Sequence, residues 1–340
     1  MPQRSRGRLS AACLLFFTAS CAPQEPEANF VGRIELPHSG GLNGLSGLEV
    51  SGDGTSLLAV SDQGWFVTGR IDRAGGIPVA FSAEGPPVRM RNDHGQKVPQ
   101  NQEDAEGIAI APDGQIFVSY EVFHRVRTWV DITTKATWMT DLIDVARLGS
   151  NTGFEAVAYG PDNAVYLFPE DLTTEAGIPV YRLEMPAPIG TEAGRPIYRY
   201  RDARWTQPFS LPRRGAWFHP VGADFGPDGR LYLLERAFYP PIGFRSRIRR
   251  FDVGPEGVTH ESVLLATPLG RHGNLEGLSV WRDGAGAIRL TMISDDNGLA
   301  LQRNEIVEYR VASNAGDGYE DPSAPRGGPS LRNLVKTEPR

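Results

Sequence analysis

The chain alternates between short apolar runs and breaks rich in Gly, Asp and Asn. Leu57–Ser61, Ile116–Tyr120, Val165–Phe168, Leu231–Leu234 and Leu290–Ile293 are too short for helices and suit strands buried on both faces. Each follows a turn pair: Asp53-Gly54, Asp113-Gly114, Asp162-Asn163, Asp228-Gly229 and Asp283-Gly284. Such pairs reach positive φ at little cost and mark hairpins. Upstream lies a second shared pattern: Leu45-Ser46-Gly47-Leu48, Ala105-Glu106-Gly107-Ile108, Phe154-Glu155-Ala156-Val157, Pro220-Val221-Gly222-Ala223 and Leu275-Glu276-Gly277-Leu278. In every copy the second residue of that pattern precedes the turn aspartate by seven positions. Two more strand-like runs follow each hairpin, for example Val126–Asp131 with Ala136–Leu142, or Ile248–Val253 with Ser262–Thr267.

Repetition on this scale decides architecture. Turn aspartates are spaced 60, 49, 66 and 55 residues apart, and the step from the fifth copy back to the first through the chain ends is comparable. The reading is an all-β protein, a β-propeller of five four-stranded antiparallel blades. Six blades result if the 66-residue interval hides a degenerate one. Closure pairs Phe30–Leu36 with the strand around Ile306–Arg310, removing edges that invite aggregation. A β-sandwich with coincidental spacing is the rival.

Composition agrees: 340 residues carry 39 Gly and 27 Pro, as many turns require and few helices tolerate. Residues 1–20 read as a secretory signal, with Arg4, Arg6 and Arg8 before the apolar run Leu9–Ala19. Thr18-Ala19-Ser20-Cys21 resembles a bacterial lipobox, in which Cys21 is lipidated and becomes the mature N-terminus. Leu is usual where Thr18 stands, so ordinary cleavage is the alternative. Cys13 leaves with the signal, which makes a disulfide impossible. The domain plan is then a linker over 21–28, one propeller over 29–311 and a disordered tail over 312–340, rich in Gly, Pro and charge. Formal charge is −6, and without the signal 32 basic residues face 41 acidic ones. A nucleic-acid footprint is absent. The expected protein is a monomer in the periplasm, tethered to a membrane only by its lipid.

Blade geometry puts the start of each first strand and the end of each second strand at one rim. Those positions hold Glu106, Glu155 and Glu276, with Ser46 and Val221 in the sister repeats, and Asp62, Glu121, Glu170, Glu235, Asp295 and Asp296. Asn43, Asn151, Asn274 and Asn297 add oxygen donors, and Arg236 follows Glu235. Like charges crowded at a channel mouth need compensation. Ca²⁺ suits an oxygen-only donor set better than Zn²⁺ does. The ligands assigned are Glu106, Glu155, Glu276, Asp295 and Asp296. Glu121, Glu235 and Asp62 are ligands or bases, while Arg236, Arg271 and His272 hold substrate oxygens. Caps at strand ends, or pairing with Arg236, Arg125, Arg245 and Arg271, would account for some of the acids without a metal. His94, His124 and His219 read as loop residues, and Trp65, Trp217 and Phe244 as packing between blades. No Gly-x-Ser-x-Gly elbow, His-Glu-x-x-His or Gly-x-x-x-x-Gly-Lys is present.

These segments, above all Asp228–Arg236, Asn274–Ser279 and Ile293–Asn297, resemble the phytase-like family called "esterase-like activity of phytase" over about 40–310. The resemblance implies an exported bacterial propeller with a hydrolytic role. Propeller phytases bind calcium in an acidic channel mouth, which agrees with the residue reading. The expectation is a Ca²⁺-dependent hydrolase in which a metal-bound water attacks a small anionic ester or phosphoester. A non-catalytic binding propeller at the cell envelope and a metal-dependent lactonase are the alternatives.

Overall fold

The structure is a computed structural model that describes residues 27–99, 102–121, 124–140, 153–192 and 195–312. The signal, Cys21, Asn151 and the tail beyond 312 lie outside the described residues.

Five four-stranded antiparallel sheets form the blades of a propeller. Blade 1 consists of Leu45–Val50, Ser56–Ser61, Trp65–Ala74 and Ile77–Ala83, with Val88–Arg89 added against its third strand. Blade 2 runs Ala105–Ile110, Ile116–Tyr120, Arg125–Trp129 and Thr137–Trp138. Blade 3 runs Phe154–Tyr159, Ala164–Pro169, Ile178–Glu184 and Trp205–Leu211. Blade 4 runs His219–Phe225, Leu231–Tyr239, Gly243–Gly254 and Gly257–Ala266. Blade 5 runs Asn274–Arg282, Ile288–Asp295 and Glu305–Val311, and the N-terminal strand Ala28–Glu35 completes it from outside. Each first strand packs against the first strands of both neighbours, so the ring closes. The long 66-residue interval holds no sixth blade. It is filled by a two-stranded ribbon, Gly190–Glu192 with Arg195–Ile197, and a 3₁₀ turn at Tyr200–Asp202, inserted before the last strand of blade 3.

The turn pairs do what their chemistry predicts. Gly54 and Asn163 take φ of 72° and 63°, which costs Gly little and Asn less than most residues. In blade 5 the first strand is longer, and Asp283 opens the turn, accepting at its backbone carbonyl from Gly286 at 2.8 Å. Five apolar clusters fill the five gaps between blades. Tyr232, Leu234 and Ile248 of blade 4, for example, meet Leu275, Leu290 and Val307 of blade 5. Burying side chains of this size contributes roughly 1.5–3 kcal/mol each. Two packing assignments fail: Trp217, in the loop before blade 4, is 65% exposed, and Phe244, in the part of blade 4 that rises above the ring, is half-buried.

One local feature sets up the site. In every blade the ladder between first and second strands slips at the repeated motif. Phe154 pairs with Pro169 and Ala156 with Phe168, leaving Glu155 unpaired. The same slip leaves Ser46, Val221 and Glu276 unpaired, and in blade 2 it spans Glu106-Gly107. A β-bulge bends the strand and re-aims the extra side chain, here around the propeller axis. The residue after each bulge is small because the blades touch there. A Cβ on Gly107 would stand 2.7 Å from the Glu155 carbonyl oxygen, and one on Gly47 would stand 2.8 Å from that of Glu106.

Candidate metal centre at the channel mouth

Two sets of side chains ring the mouth. The bulge positions supply Ser46, Glu106, Glu155, Val221 and Glu276, all buried. On the second strands, the residue one past the partner of the motif's opening residue (Leu45, Ala105, Phe154, Pro220, Leu275) supplies Asp62, Glu121, Glu170, Arg236 and Asp295, the last two still paired in the ladder with His219 and Asn274. Three of these are fixed alike: the backbone N–H of Asp62, Glu121 and Glu170 donates to the carbonyl of Gly44, Asp104 and Gly153 at 2.9, 3.1 and 3.0 Å. Asp104 adds an eighth carboxylate to the seven from the two rings.

Oxygens of Glu121, Glu155 and Glu170 all lie within 4.8 Å of one another, a spacing that one cation could bridge. Arg236 sits among the acids. It donates from Nη2 to Glu170 Oε1 at 2.8 Å, and from Nη1 to Asn274 Oδ1 at 2.8 Å and to Glu276 Oε1. Asn274 in turn donates to Glu276 at 2.8 Å. Arg236, with Arg125 beside Asp104, cannot offset eight carboxylates, and the remainder show it. Burial first, and then the charges of Glu155, Glu276, Glu121 and Asp62, hold the Glu106 carboxyl well above its usual range. Glu155 is raised by burial and then by Glu170 and Glu276. Burial and Asp295 push Asp62 up to about 7, and burial and Glu170 push Glu121 to about 7. Burial takes Glu276 to about 8 although Arg236 opposes it, and takes Asp295 to about 6. Burial would lower the Arg236 pKa, but Glu276, Glu155 and Glu170 raise it.

Glu106 and Glu155 are the most telling members. Both residues are buried and no hydrogen bond reaches either carboxylate among the described residues, and Arg236 offsets Glu155 only through space. A buried charge without pairing is costly. Ser46 Oγ, also buried and without a partner, lines an axial cavity of about 10 Å³ beside Glu276, room for roughly one water. This donor set fits a hard cation.

The structure separates the sequence-assigned residues. Glu106, Glu155, Glu276, Asp295, Glu121, Asp62 and Arg236 come together. Glu235 does not: it pairs with Pro220, and its side chain leaves by the opposite face of the strand. There Arg249 holds it with two bonds of 2.7 and 2.9 Å, and Arg247 adds one of 2.7 Å. Asp296 is a buried cap, accepting from Gly44 N at 3.0 Å and Gly298 N at 3.1 Å and meeting His38 Nδ1 at 2.5 Å. His272 faces the closing seam, with Nε2 at 2.7 Å from Tyr309 Oη and Nδ1 at 3.5 Å from Glu305. Arg271 lies over the Phe30 ring. Glu170, a rim acid that the sequence reading left out of the ligand set, belongs to the closest trio. Asp104 went unseen because the sister repeats place Gly44, Gly153, His219 and Asn274 there, so no repeat signal marks it.

A family model described as phytase-like, esterase-like activity of phytase, matches residues 40–298. No curated protein matches the chain. Several solved structures are similar. A PQQ-bound aldose sugar dehydrogenase from Streptomyces coelicolor is 15% identical with a TM-score of 0.45, over 83% of this chain and 98% of that one. The calcium-binding protein regucalcin from Agrobacterium tumefaciens is 11% identical with a TM-score of 0.45, over 84% and 96%. An α-L-arabinofuranosidase from Podospora anserina, in complex with cellotriose, is 14% identical with a TM-score of 0.46, over 83% and 98%. Likeness at this level carries no argument about activity.

Proposed function

This chain belongs to the phytase-like family, and from that premise we propose that its channel mouth binds Ca²⁺ and hydrolyses a phosphoester or ester. The observation that carries the reading is the pair Glu106 and Glu155, buried residues whose carboxylates no hydrogen bond reaches among the described residues, set among six further acids with only Arg236 and Arg125 to offset them. Glu121, Glu155 and Glu170 would hold the ion, with Glu106 and Glu276 beneath them. When bound, Ca²⁺ would supply Lewis acidity to a substrate oxygen and to the attacking water.

The protein's own groups do the rest. Arg236 braces Glu170 and Glu276 so that the carboxylates keep their positions, which makes it an orienting residue rather than a substrate clamp. Asp62, with a pKa of about 7, is part ionised at neutral pH and can take a proton from water. In the step, the water oxygen bonds to the acyl carbon or phosphorus and the bond to the leaving oxygen breaks. One water proton goes to the carboxylate base, and a protonated carboxyl of the mouth that does not hold the ion returns one to the leaving oxygen. The same reading includes export to the periplasm and a lipid tether at Cys21.

Calorimetry of the chelator-treated protein with Ca²⁺, run beside assays on p-nitrophenyl phosphate, p-nitrophenyl acetate and a lactone, tests it. The expected result is saturable binding with proton release at pH 7, because raised carboxyls must ionise to ligate, together with turnover of one substrate class. Binding without turnover would reduce the mouth to a binding site; no binding at millimolar Ca²⁺ would overturn the reading.

A further inference from the structure

Blade 4 is built past the rim. Its first strand starts at His219, opposite Arg236, yet its second strand runs on to Tyr239 and there pairs only with Gly243–Arg245. Three residue pairs therefore stand above the ring, roughly 10 Å at about 3.3 Å per residue. Side chains alternate along a strand, so Phe238 shares a face with Arg236, whose guanidinium reaches the acids of the mouth. Phe238 stacks on its cross-strand partner Phe244, centroids 4.8 Å apart and planes at 25°, and remains 51% exposed. Ile242 at the tip is 69% exposed, and Trp217 leans on Tyr239. Ring packing does not require this apolar surface to be held in water beside the carboxylates.

We infer that the Phe238–Phe244 pair is a ring-stacking subsite of the mouth, and that the ligand it serves is a neutral carboxylic ester bearing an aromatic ring. The ester group would reach down to the carboxylates while the ring lies against Phe238. This rests on the hydrolytic reading above and narrows it. Charge selects the class: a mouth with eight carboxylates, whose Arg236 is already bonded to Glu170, Glu276 and Asn274, repels a polyanion. Stacking on an aromatic face adds to the gain from area burial and sets a preference for ring-bearing ligands.

The probes are acetanilide and N-methylacetamide, amides of like shape with and without the ring, titrated into the Ca²⁺-loaded full chain by calorimetry. Acetanilide should bind at least tenfold more tightly. Phe238→Ala should erase that difference and Phe238→Tyr keep it, with Ca²⁺ affinity unchanged in both. Phe238 is half exposed and lies outside the ring, so these variants fold. A preference that survives Phe238→Ala, or equal binding of the two amides, overturns the subsite. Turnover of phenyl acetate and methyl acetate separates the two claims. Ring-selective binding without hydrolysis of either ester sinks the hydrolase reading and leaves the subsite. Hydrolysis with a KM indifferent to the ring in wild type and Phe238→Ala does the reverse.

Discussion

At the scale of single residues, glutamates of similar burial have opposite roles, and their partners show which is which. Glu235, 1% exposed, is clamped by Arg249, itself 0% exposed, and by Arg247. Removing one partner of such a pair strands the other charge, at about 3–5 kcal/mol. Glu235→Ala should therefore lower the melting temperature by about 5–8 °C, since roughly 2.1 cal/mol/K of unfolding entropy per residue makes each kcal/mol worth a little under about 2 °C in a body of this size. Glu155 has no donor, so Glu155→Gln removes a liability. Without metal at pH 8 it should melt no lower than wild type, while its Ca²⁺ affinity falls tenfold or more, about 1.4 kcal/mol. A melting loss in that variant, or unchanged Ca²⁺ binding, would contradict the assignment. Sequence could not separate these residues. Counting along the strand places Glu235 at the rim, but the ladder pairs it with Pro220, so the next residue, Arg236, takes the rim position and the carboxylate turns away. Alternation sorts neighbours to opposite faces, and an error of one position reverses the answer.

At the scale of strands, the repeated motif is a bulge followed by a small residue, and both halves have a cause. The bulge turns the acid to the axis; the small residue lets the next blade approach. Gly107→Ala would place its Cβ 2.7 Å from the Glu155 carbonyl and 2.9 Å from Ser119 Oγ. The cost of overpacking is typically 1–3 kcal/mol. Thermal melting should show a loss of several degrees, and Ca²⁺ binding should weaken too, because the strand that carries Glu155 is displaced. This part of the fold was readable in advance, since the period of the motif, the turn pairs and the apolar second strands all recur in sequence. Blade 4's raised hairpin was not readable. Ala237–Tyr239 continues an apolar strand pattern, and nothing in its composition says that the partner first strand has already begun lower down at His219.

For the molecule as a whole, the converging acids tie stability to pH. Below about pH 3 these carboxyls are neutral in both folded and unfolded chains. As pH rises the unfolded chain ionises freely, while the folded one resists until about 6 for Asp295, 7 for Asp62 and Glu121, and 8 for Glu276. The stability these raised pKa values contribute is present at acid pH and lost as pH climbs through that window. In chelator, the melting temperature should fall from pH 5 to pH 8. With Ca²⁺, which binds only the folded mouth, the decline should shrink, and the gap between the two curves should widen with pH. Parallel curves would mean that the carboxylates do not converge on a cation. The five-blade count was readable in the sequence because closure leaves a numerical trace; the chemistry of the mouth was readable only as a set of acids.

Ala28 lies beside Val311 in the same ladder, so the two ends of the folded body are neighbours on the face opposite the mouth. A short peptide bridge between them would make the polypeptide circular without disturbing a blade. Cutting it afterwards between two other blades would move the seam and leave the acids where they are, so the place where the ring is closed is independent of the place where the carboxylates converge.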